Sequence, residues 1–501
     1  MIAPTRQTQL KIAMLSAGSG LLMGLSMPGY NQAWLAWFAL VPVLLLCQWY
    51  KNISVRLTIL PATVVWSVMA HHWFVDIFGS LLGTILCVAA GVFFSRPIYL
   101  AVTLQRHFGG IMRLFALPLV WCSIEFLRVV LPYLEEIWFV LVAKSQWQQL
   151  EILQILSLGS FPLLSFIIML SNAAIACIII KAKQQKQFDW QAGLVFPLVL
   201  ASWFWGHSQL TSIPAHDPTK DVHIGATVDL TNQDDAIQSL ANIRSDGEGY
   251  WADTPAMSQA IFNVNAKLTR QISDNTHFVV WPENEMADIN NEAIVRQIKQ
   301  LAIETSNYIV ADLIWREQGE LFDVAVMFGP DGVEVGRSRK IAITFRERHF
   351  GFSPGSKEDI QVFTTPHGQV GLGVCFDRHR AWISRALRQQ GAEIILMPVD
   401  DDFKANANFP LLHMTDSIFR AVENRVAYGL GTTSGISAVI NPYGKVVSAS
   451  GVNQREAIYG TTVTSSQQTL YTRYGDWFGW GISAITLYLV ITWLRQRRKK
   501  S

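Results

Sequence analysis

The sequence predicts a bundle of about eight membrane-spanning helices that carries an extracytoplasmic α/β domain. Three observations support this. Charge is unevenly placed: 16% of the 501 residues are charged and half are hydrophobic, against about 25% charged in an average soluble chain, and residues 1–209 hold only 18 of the 40 Lys/Arg and 38 Asp/Glu. Apolar runs of spanning length recur through 1–209 and return once near residue 480. Between them, over 210–472, short apolar strands alternate with helical stretches, the pattern of layered α/β domains. This distribution excludes a wholly soluble enzyme, a disordered chain and a small disulfide-stapled domain. A net charge of +2 leaves no electrostatic footprint for nucleic acid.

Lipid offers no partner to an unpaired backbone, so a run of 17–25 apolar residues reads as a spanning helix. Seven such runs precede residue 210, at roughly 12–27, 33–50, 57–74, 77–104, 111–131, 155–180 and 193–206, and an eighth covers 478–494. Pro28-Gly29-Tyr30 lacks the small-residue cleavage pattern of a signal peptide, so the first run is read as a retained span. Lys and Arg mark the cytoplasmic loops. Arg6 and Lys11 precede the first span, Lys51 and Arg56 follow the second, and Arg106 and Arg113 follow the fourth. Lys181, Lys183 and Lys186 follow the sixth, and Arg495, Arg497, Arg498, Lys499 and Lys500 follow the eighth. The alternate loops are poor in basic residues; 132–154 has Glu135, Glu136 and Glu151 against Lys144. Every basic loop falls on one side, which places both ends in the cytoplasm and the domain at 210–472 outside, in the periplasm of a two-membrane bacterium. The expected organisation is therefore a transmembrane domain at 1–209, a periplasmic domain at 210–472, and a last helix with a basic tail at 473–501. Glu125 and Arg128 lie one turn apart on the fifth span and are expected to pair inside the bundle.

Within 210–472, strands are predicted at 222–228, 278–281, 308–313, 321–328, 333–337, 370–374, 393–398, 437–440 and 446–448, and helices at 256–272, 292–305, 376–390 and 414–427. Gly329-Pro330-Asp331-Gly332 and Asn441-Pro442-Tyr443-Gly444 read as hairpin turns. Cys47, Cys87, Cys122 and Cys177 lie in apolar runs, where Cys is usually a small buried hydrophobe, which leaves Cys375 alone in the charged part. Three residues there form a usable chemical set. Glu283 follows Trp281-Pro282 at a strand end, Lys340 closes the run Arg337-Ser338-Arg339-Lys340, and Cys375 stands where Gly371-Leu372-Gly373-Val374 gives way to a helix. A carboxylate can take a thiol proton, and an ammonium can stabilise the oxyanion of an acyl intermediate. Taken singly, each has an ordinary structural reading; it is the set, in this order and in these contexts, that points to catalysis.

These motifs resemble the nitrilase, or carbon–nitrogen hydrolase, superfamily. Phe419-Arg420-Ala421-Val422-Glu423-Asn424-Arg425, Thr433-Ser434-Gly435 and Asn441-Pro442-Tyr443-Gly444 are similar to its later strands. A domain of this kind inserted before the last of eight spans resembles the apolipoprotein N-acyltransferase family. So do Ala36-Trp37-Phe38-Ala39-Leu40-Val41-Pro42, Trp121-Cys122-Ser123-Ile124-Glu125-Phe126-Leu127-Arg128 and Ser145-Gln146. The resemblance implies a nitrilase-like α-β-β-α sandwich and a two-step acyl transfer in the inner membrane. Cys375 would take an acyl chain from a phospholipid as a thioester, and the α-amine of a diacylated apolipoprotein would accept it. Glu283 would act as base and Lys340 as oxyanion holder. The resemblance implies no cofactor, and the chain has no phosphate-binding glycine loop and no clustered His/Cys ligands, so no metal is expected either. Membrane lipids are the expected surroundings, nucleic acid is not a partner, and a monomer is expected.

Four further positions are candidates for support. The family's Glu after the catalytic lysine falls on Glu347, one residue closer to the lysine than usual, in Ile341-Ala342-Ile343-Thr344-Phe345-Arg346-Glu347-Arg348. Its Tyr-Glu after the nucleophile falls on Phe376 and Asp377, the latter a carboxylate one methylene shorter. Trp138, with Phe139 and Trp147, is either an acyl-chain contact or part of an ordinary interfacial belt. Arg346, Arg348, Arg378 and Arg380 could bind a phosphate headgroup or serve as solvated surface charge. Membrane placement suits such substrates, because drawing an acyl chain into water costs about 0.8 kcal/mol per CH₂. Three alternatives stay open: a membrane-anchored amidase in which water resolves the acyl-enzyme, an N-acyltransferase with a different amine acceptor, and a binding module without chemistry.

Overall fold

The computed structural model describes residues 5–50, 54–135, 137–212, 221–240, 254–401 and 408–499. Lys51, Glu136 and Lys500, used above for orientation, lie outside them. The chain divides into two compact units, one of Met1–Ser212 with Asp476–Ser501 and one of Ile213–Gly475.

The first unit is helical. Among the described residues three of its helices are long and apolar enough to cross a membrane, Ser80–Phe108, Leu156–Gln185 and Trp477–Arg498, and two shorter apolar stretches are Ala33–Trp49 and Thr58–His71. The expected run at 33–50 is broken into a 3₁₀ turn, Ala33–Trp37, and a helix, Val41–Trp49, with Pro42 in its first turn. Asn172 fastens that break, its Nδ2 donating to Ala36 O and its Oδ1 accepting from Leu40 N, each at 2.8 Å. The expected run at 57–74 ends as a helix at His71, one residue before a short helix, Trp73–Phe78. Helix Met112–Val130 contains Glu125 and Arg128, and both side chains also hold the backbone of the loop that follows. Glu125 Oε1 accepts from Val142 N at 2.7 Å, while Arg128 donates to Ile137 O at 2.6 Å and Val140 O at 2.9 Å. Buried loop backbone must find partners, and these two side chains supply them at Val140 and Val142. Trp138 is 3% exposed, with the Lys144 ammonium 4.5 Å from its ring centre; it packs inside this unit.

Among the described residues of the second unit twelve strands form one sheet: β1 Asp221–Val228, β2 Phe278–Val280, β3 Tyr308–Glu317, β4 Glu320–Phe328, β5 Glu334–Arg339, β6 Val362–Thr365, β7 Gly368–Leu372, β8 Ile394–Val399, β9 Ala427–Thr432, β10 Ala438–Ile440, β11 Val446–Ala449 and β12 Glu456–Val463. Their order is β5-β4-β3-β2-β1-β9-β8-β7-β6, with β12 beside β1 and the β10–β11 hairpin beside β9. The strands nearest the centre are parallel, and the outer ones return antiparallel. A single residue pair, Val228 with Thr432, joins the halves. The sheet folds there, bringing β3 against β8 although three strands separate them in the order. Helices Pro255–Ile272 and Glu292–Thr305 cover one half, and Ala381–Gln389 and Asn408–Asn424 cover the other. The result is an α-β-β-α sandwich. Helix Glu292–Thr305 shows why: Ile294, Ile298, Leu301 and Ala302 are buried along one stripe, and Asn291 Oδ1 caps its start through Ile294 N, as an amphipathic helix on a sheet requires. Both hairpin turns expected from sequence form, β4–β5 and β10–β11. Strands β6, β9 and β12 and the short helix Phe345–His349 lie where sequence reasoning expected none.

Candidate active site

Parallel strands leave a crevice beyond their carboxyl ends, where side chains from different strands converge. Glu283 follows β2, Lys340 follows β5, Cys375 follows β7 and Asp400 follows β8. Gly431 near the end of β9 allows the close approach this needs, because a Cβ there would lie 2.4 Å from Val280 O and 2.8 Å from Trp281 O. Glu283 N–H in turn donates to Val399 O at 3.3 Å.

The three residues singled out by sequence come together. Lys340 Nζ is bonded to Glu283 Oε1, and Glu283 Oε2 accepts from Asp400 N at 2.6 Å. The carbonyl oxygen of the same residue, Asp400 O, accepts from the Cys375 thiol, with Sγ 3.6 Å away. All three side chains are buried, Lys340 completely. Cys375 has φ +41°, a left-handed conformation that costs a residue with a Cβ about 1 kcal/mol and is typical of side chains turned out at functional sites.

Glu347 joins them despite its shifted position. Thr344 and Glu347 form a reciprocal cap on the helix Phe345–His349, with Thr344 N donating to Glu347 Oε2 at 2.8 Å. That leaves Oε1 to bind Lys340 Nζ at 2.6 Å. Asp377, although short, also reaches: its Oδ1 accepts from Ile341 N at 3.1 Å and Ala342 N at 2.7 Å, and its Oδ2 from Val374 N at 3.0 Å. It therefore ties the residues after the lysine to the residue before the cysteine. Burial pushes its carboxyl up to about 6, against the pull of those N–H groups. Replacing Asp377 by Asn puts an N–H donor where one oxygen now accepts; the expected result is a loss of about 1–3 kcal/mol of stability, read as a lower melting temperature, with a parallel fall in activity. Phe376 carries the Arg380 guanidinium 4.8 Å above its ring and is buried.

Sequence reasoning missed Asp323, in the middle of β4. Its Oδ2 lies 3.1 Å from Lys340 Nζ, and its carbonyl accepts Lys340 N at 2.8 Å. One ammonium thus meets three carboxylates. Burial opposes the charge on Lys340, but Glu283, Glu347 and Asp323 more than offset it and hold the ammonium above the usual lysine range. Burial likewise pushes the Glu283 carboxyl up, with Lys340 opposing, which makes it a stronger base than an ordinary glutamate. Burial and then Glu283 push the Cys375 thiol up, while Lys340 and Arg378 pull it down. Carboxylate oxygens of Glu283, Glu285 and Asp323 lie within 4.8 Å of one another, a spacing a divalent cation could use. Lys340 Nζ contacts two of the three and supplies the positive charge there.

The four arginines do not form one cluster. Arg346 and Arg348 are exposed on the short helix, whereas Arg378 and Arg380 are buried.

Chemically, this is a thiol beside a base of raised basicity and a fixed cation, the parts needed for acyl transfer through a thioester. Residues 241–470 match the family model described as carbon–nitrogen hydrolase, and residues 19–174 match that described as the apolipoprotein N-acyltransferase N-terminal domain. An apolipoprotein N-acyltransferase of Geobacter metallireducens is 24% identical over 97% of this chain and 95% of its own. One of Thermotoga maritima is 22% identical over 93% and 90%. A human omega-amidase is 29% identical, over 32% of this chain and 63% of its own.

Proposed function

This chain belongs to the apolipoprotein N-acyltransferase family, and from that premise we propose that it moves an acyl chain from a phospholipid, through a thioester on Cys375, to the α-amine of the diacylglyceryl-cysteine that begins an apolipoprotein. The observation that carries this reading is the reach of the likeness. A nitrilase-like domain alone would suit an amidase equally, but the match runs through the helical region at 19–174 as well as through 241–470.

In the first half-reaction Glu283 takes the Sγ proton and the thiolate attacks the donor's ester carbonyl. Lys340 faces the oxyanion. The carbonyl–oxygen bond then breaks, Glu283 returns the proton to the departing alkoxide, and lysophospholipid leaves. In the second, the acceptor ammonium loses a proton, its nitrogen attacks the thioester, and the carbon–sulfur bond breaks with the proton returning to sulfur. One proton is released for each amide formed. Glu347 and Asp377 hold the lysine and cysteine turns in register through the contacts described above.

The protein is a bacterial membrane protein. Its finer placement belongs to the same proposal: an inner-membrane protein of about eight spans, acting as a monomer, with 1–209 and 473–501 in the membrane region and 210–472 in the periplasm. Its support is the distribution of Lys and Arg among the loops.

The test is intact-protein mass spectrometry of the purified chain after incubation with phospholipid. A long-chain acyl adduct on Cys375 is expected, and it should disappear when a diacylated lipopeptide is added, with the lipopeptide gaining the same mass. An adduct that ignores the lipopeptide but decays in buffer would replace this reading with the amidase.

A further inference from the structure

Behind the carboxylates that touch Lys340 stand two more buried carboxyls. Glu285 brings a carboxylate oxygen within 4.8 Å of those of Glu283 and Asp323. Asp312, on β3, is as fully buried as Asp323 on β4. Asp323 lies opposite Ile314 and Asp312 opposite Ala325, so the two aspartates are diagonal neighbours on one face of the sheet. Their carboxyls are hydrogen-bonded to each other. Ionised carboxylates are acceptors only, so a bond between two of them needs a proton.

The oxygens left over lead to the same conclusion. Asp312 Oδ1 and Asp323 Oδ1 are buried and meet no donor among the described residues. Two buried carboxylates without donors are costly, whereas one proton between them satisfies both. The neighbours decide where it sits. Asp312 Oδ2 accepts from Asn284 N at 3.1 Å and Glu285 N at 2.6 Å, a task that the carbonyl oxygen of a neutral acid performs as well. Asp323 Oδ2 lies 3.1 Å from Lys340 Nζ, where a negative charge is most favoured. The proton therefore belongs on Asp312 Oδ1, which donates to Asp323.

In this form Asp312 reaches both the base and the lysine. Through Oδ2 it holds the backbone of the two residues after Glu283, in a turn where Glu285 takes φ +39°. The Asn284 side chain is fixed separately, its Nδ2 donating to Asp229 Oδ2 at 2.6 Å and its Oδ1 accepting from Thr231 Oγ1 at 3.1 Å. Through Oδ1, Asp312 orients Asp323, the residue whose carbonyl also accepts Lys340 N at 2.8 Å.

We propose that Asp312 and Asp323 share one proton, held on Asp312, and that Asp312 in this neutral form is a positioning residue for both Glu283 and Lys340. The proposal rests on the roles given to those two residues above. It adds the group that lets several carboxyls crowd one ammonium while Glu283 stays free to take the thiol proton. The shared proton does not leave during turnover, and no covalent bond to Asp312 forms or breaks. The charged groups around the pair and its partners come from each neighbouring element: Glu283 and Glu285 after β2, Lys340 after β5, Glu347 on the helix Phe345–His349 and Asp400 after β8. Lys340 is the one cation of this set. Burial first, then Asp323, Glu285 and Glu283, hold the Asp312 carboxyl far above the usual aspartate range.

The test is infrared spectroscopy of the full chain in detergent near neutral pH, with aspartate labelled in heavy carbon so that its carboxyl bands separate from those of glutamate. A band of protonated aspartic acid is expected in the wild type, and Asp312→Asn should remove one carboxyl's share of it. Asparagine copies the neutral acid, its carbonyl accepting from Asn284 and Glu285 and its amide donating to Asp323. Asp312→Asn should therefore keep at least about tenfold more kcat than Asp312→Ala, which loses both contacts. No protonated-aspartate band in the wild type, a band of full intensity in Asp312→Asn, or an asparagine variant no better than alanine would each overturn the proposal. If neither variant folds, Asp323→Asn decides alone. Taking away the anion that accepts this proton should shift or abolish the band, and an unchanged band would overturn the proposal. The spectrum needs no acyl donor, so a wild type that shows the band yet never carries an acyl adduct would overturn the acyltransferase reading and leave the shared proton standing.

Discussion

Cys375→Ala leaves a folded protein that forms no acyl adduct and acylates no lipopeptide, with a loss of activity on the order of 10⁴-fold or more, as removal of a covalent nucleophile gives elsewhere. The fold should survive because alanine keeps the Cβ, so the left-handed turn at φ +41° is strained to the same degree before and after. What goes is the sulfur, whose hydrogen-bond contact is the Asp400 carbonyl at 3.6 Å, a long and weak one. Melting temperature and mass spectrometry on the same preparation separate the two effects. A variant that keeps its melting temperature and still transfers acyl chains would mean that another group carries them. Cys375→Ser tests the chemistry more finely. A hydroxyl ionises far less readily than a thiol, so even a basic Glu283 cannot make it a comparable nucleophile, and the expected activity stays near that of the alanine variant.

How much of this site sequence could reveal depends on where each residue stands along its strand. Glu283 and Cys375 follow apolar runs that end in Pro-Glu and Gly-Val-Cys, so the strand end is visible and so is the side chain placed there. Lys340 closes a basic run and is visible for the same reason. Asp323 is not at an end. It sits inside β4 between Phe322 and Val324, and its meeting with Lys340 depends on the antiparallel register of β4 and β5, which no local pattern supplies. The one available signal was a carboxylate in an otherwise apolar strand, since such a group is almost never buried without a partner. Arg378 was visible as a basic residue, but its pairing with Asp401 was hidden in the same way, the two being 23 positions apart along the chain and joined only by folding. Strand β12 was legible in principle, for Ile458, Gly460 and Thr462 alternate inward with Tyr459 and Thr461 outward, but small and polar residues on its inward face masked the period. In the helical unit, hydropathy led to eight expected spans, of which three form helices long and apolar enough to cross a membrane among the described residues; it could not see the interruptions. The 33–50 run is divided because its middle residues bond to the Asn172 side chain, a long-range event that a window average does not register.

Lys340→Met should be the most damaging single change to the stability of this unit, and its damage should depend on pH with a definite sign. Methionine matches the lysine stem in size, so packing is nearly preserved while the charge is lost. Glu283, Asp323 and Glu347, the first two almost fully buried, then face one another with no cation among them. Removing one member of a buried ion pair costs about 3–5 kcal/mol, and here three partners are orphaned at once. The orphaned carboxyls respond by holding protons, so their pKa values in the folded protein rise further above those of the unfolded chain, in the direction burial already pushes Glu283. A group whose folded pKa is raised contributes its full stability below the unfolded value, about 4.3 for Glu, and loses it as pH rises through the folded value. The variant should therefore melt far below the wild type at pH 7–8 and approach it near about pH 5, where protons substitute for the missing ammonium. Adding Glu347→Gln to Lys340→Met should recover part of the loss at neutral pH, since it removes one of the opposed charges. Activity should fall by about 10²–10³ from the lost oxyanion contact alone, and acid should not restore it, because a protonated Glu283 cannot take the thiol proton. Recovery of stability without recovery of activity distinguishes this account from a packing defect, which would lower the melting temperature equally at every pH.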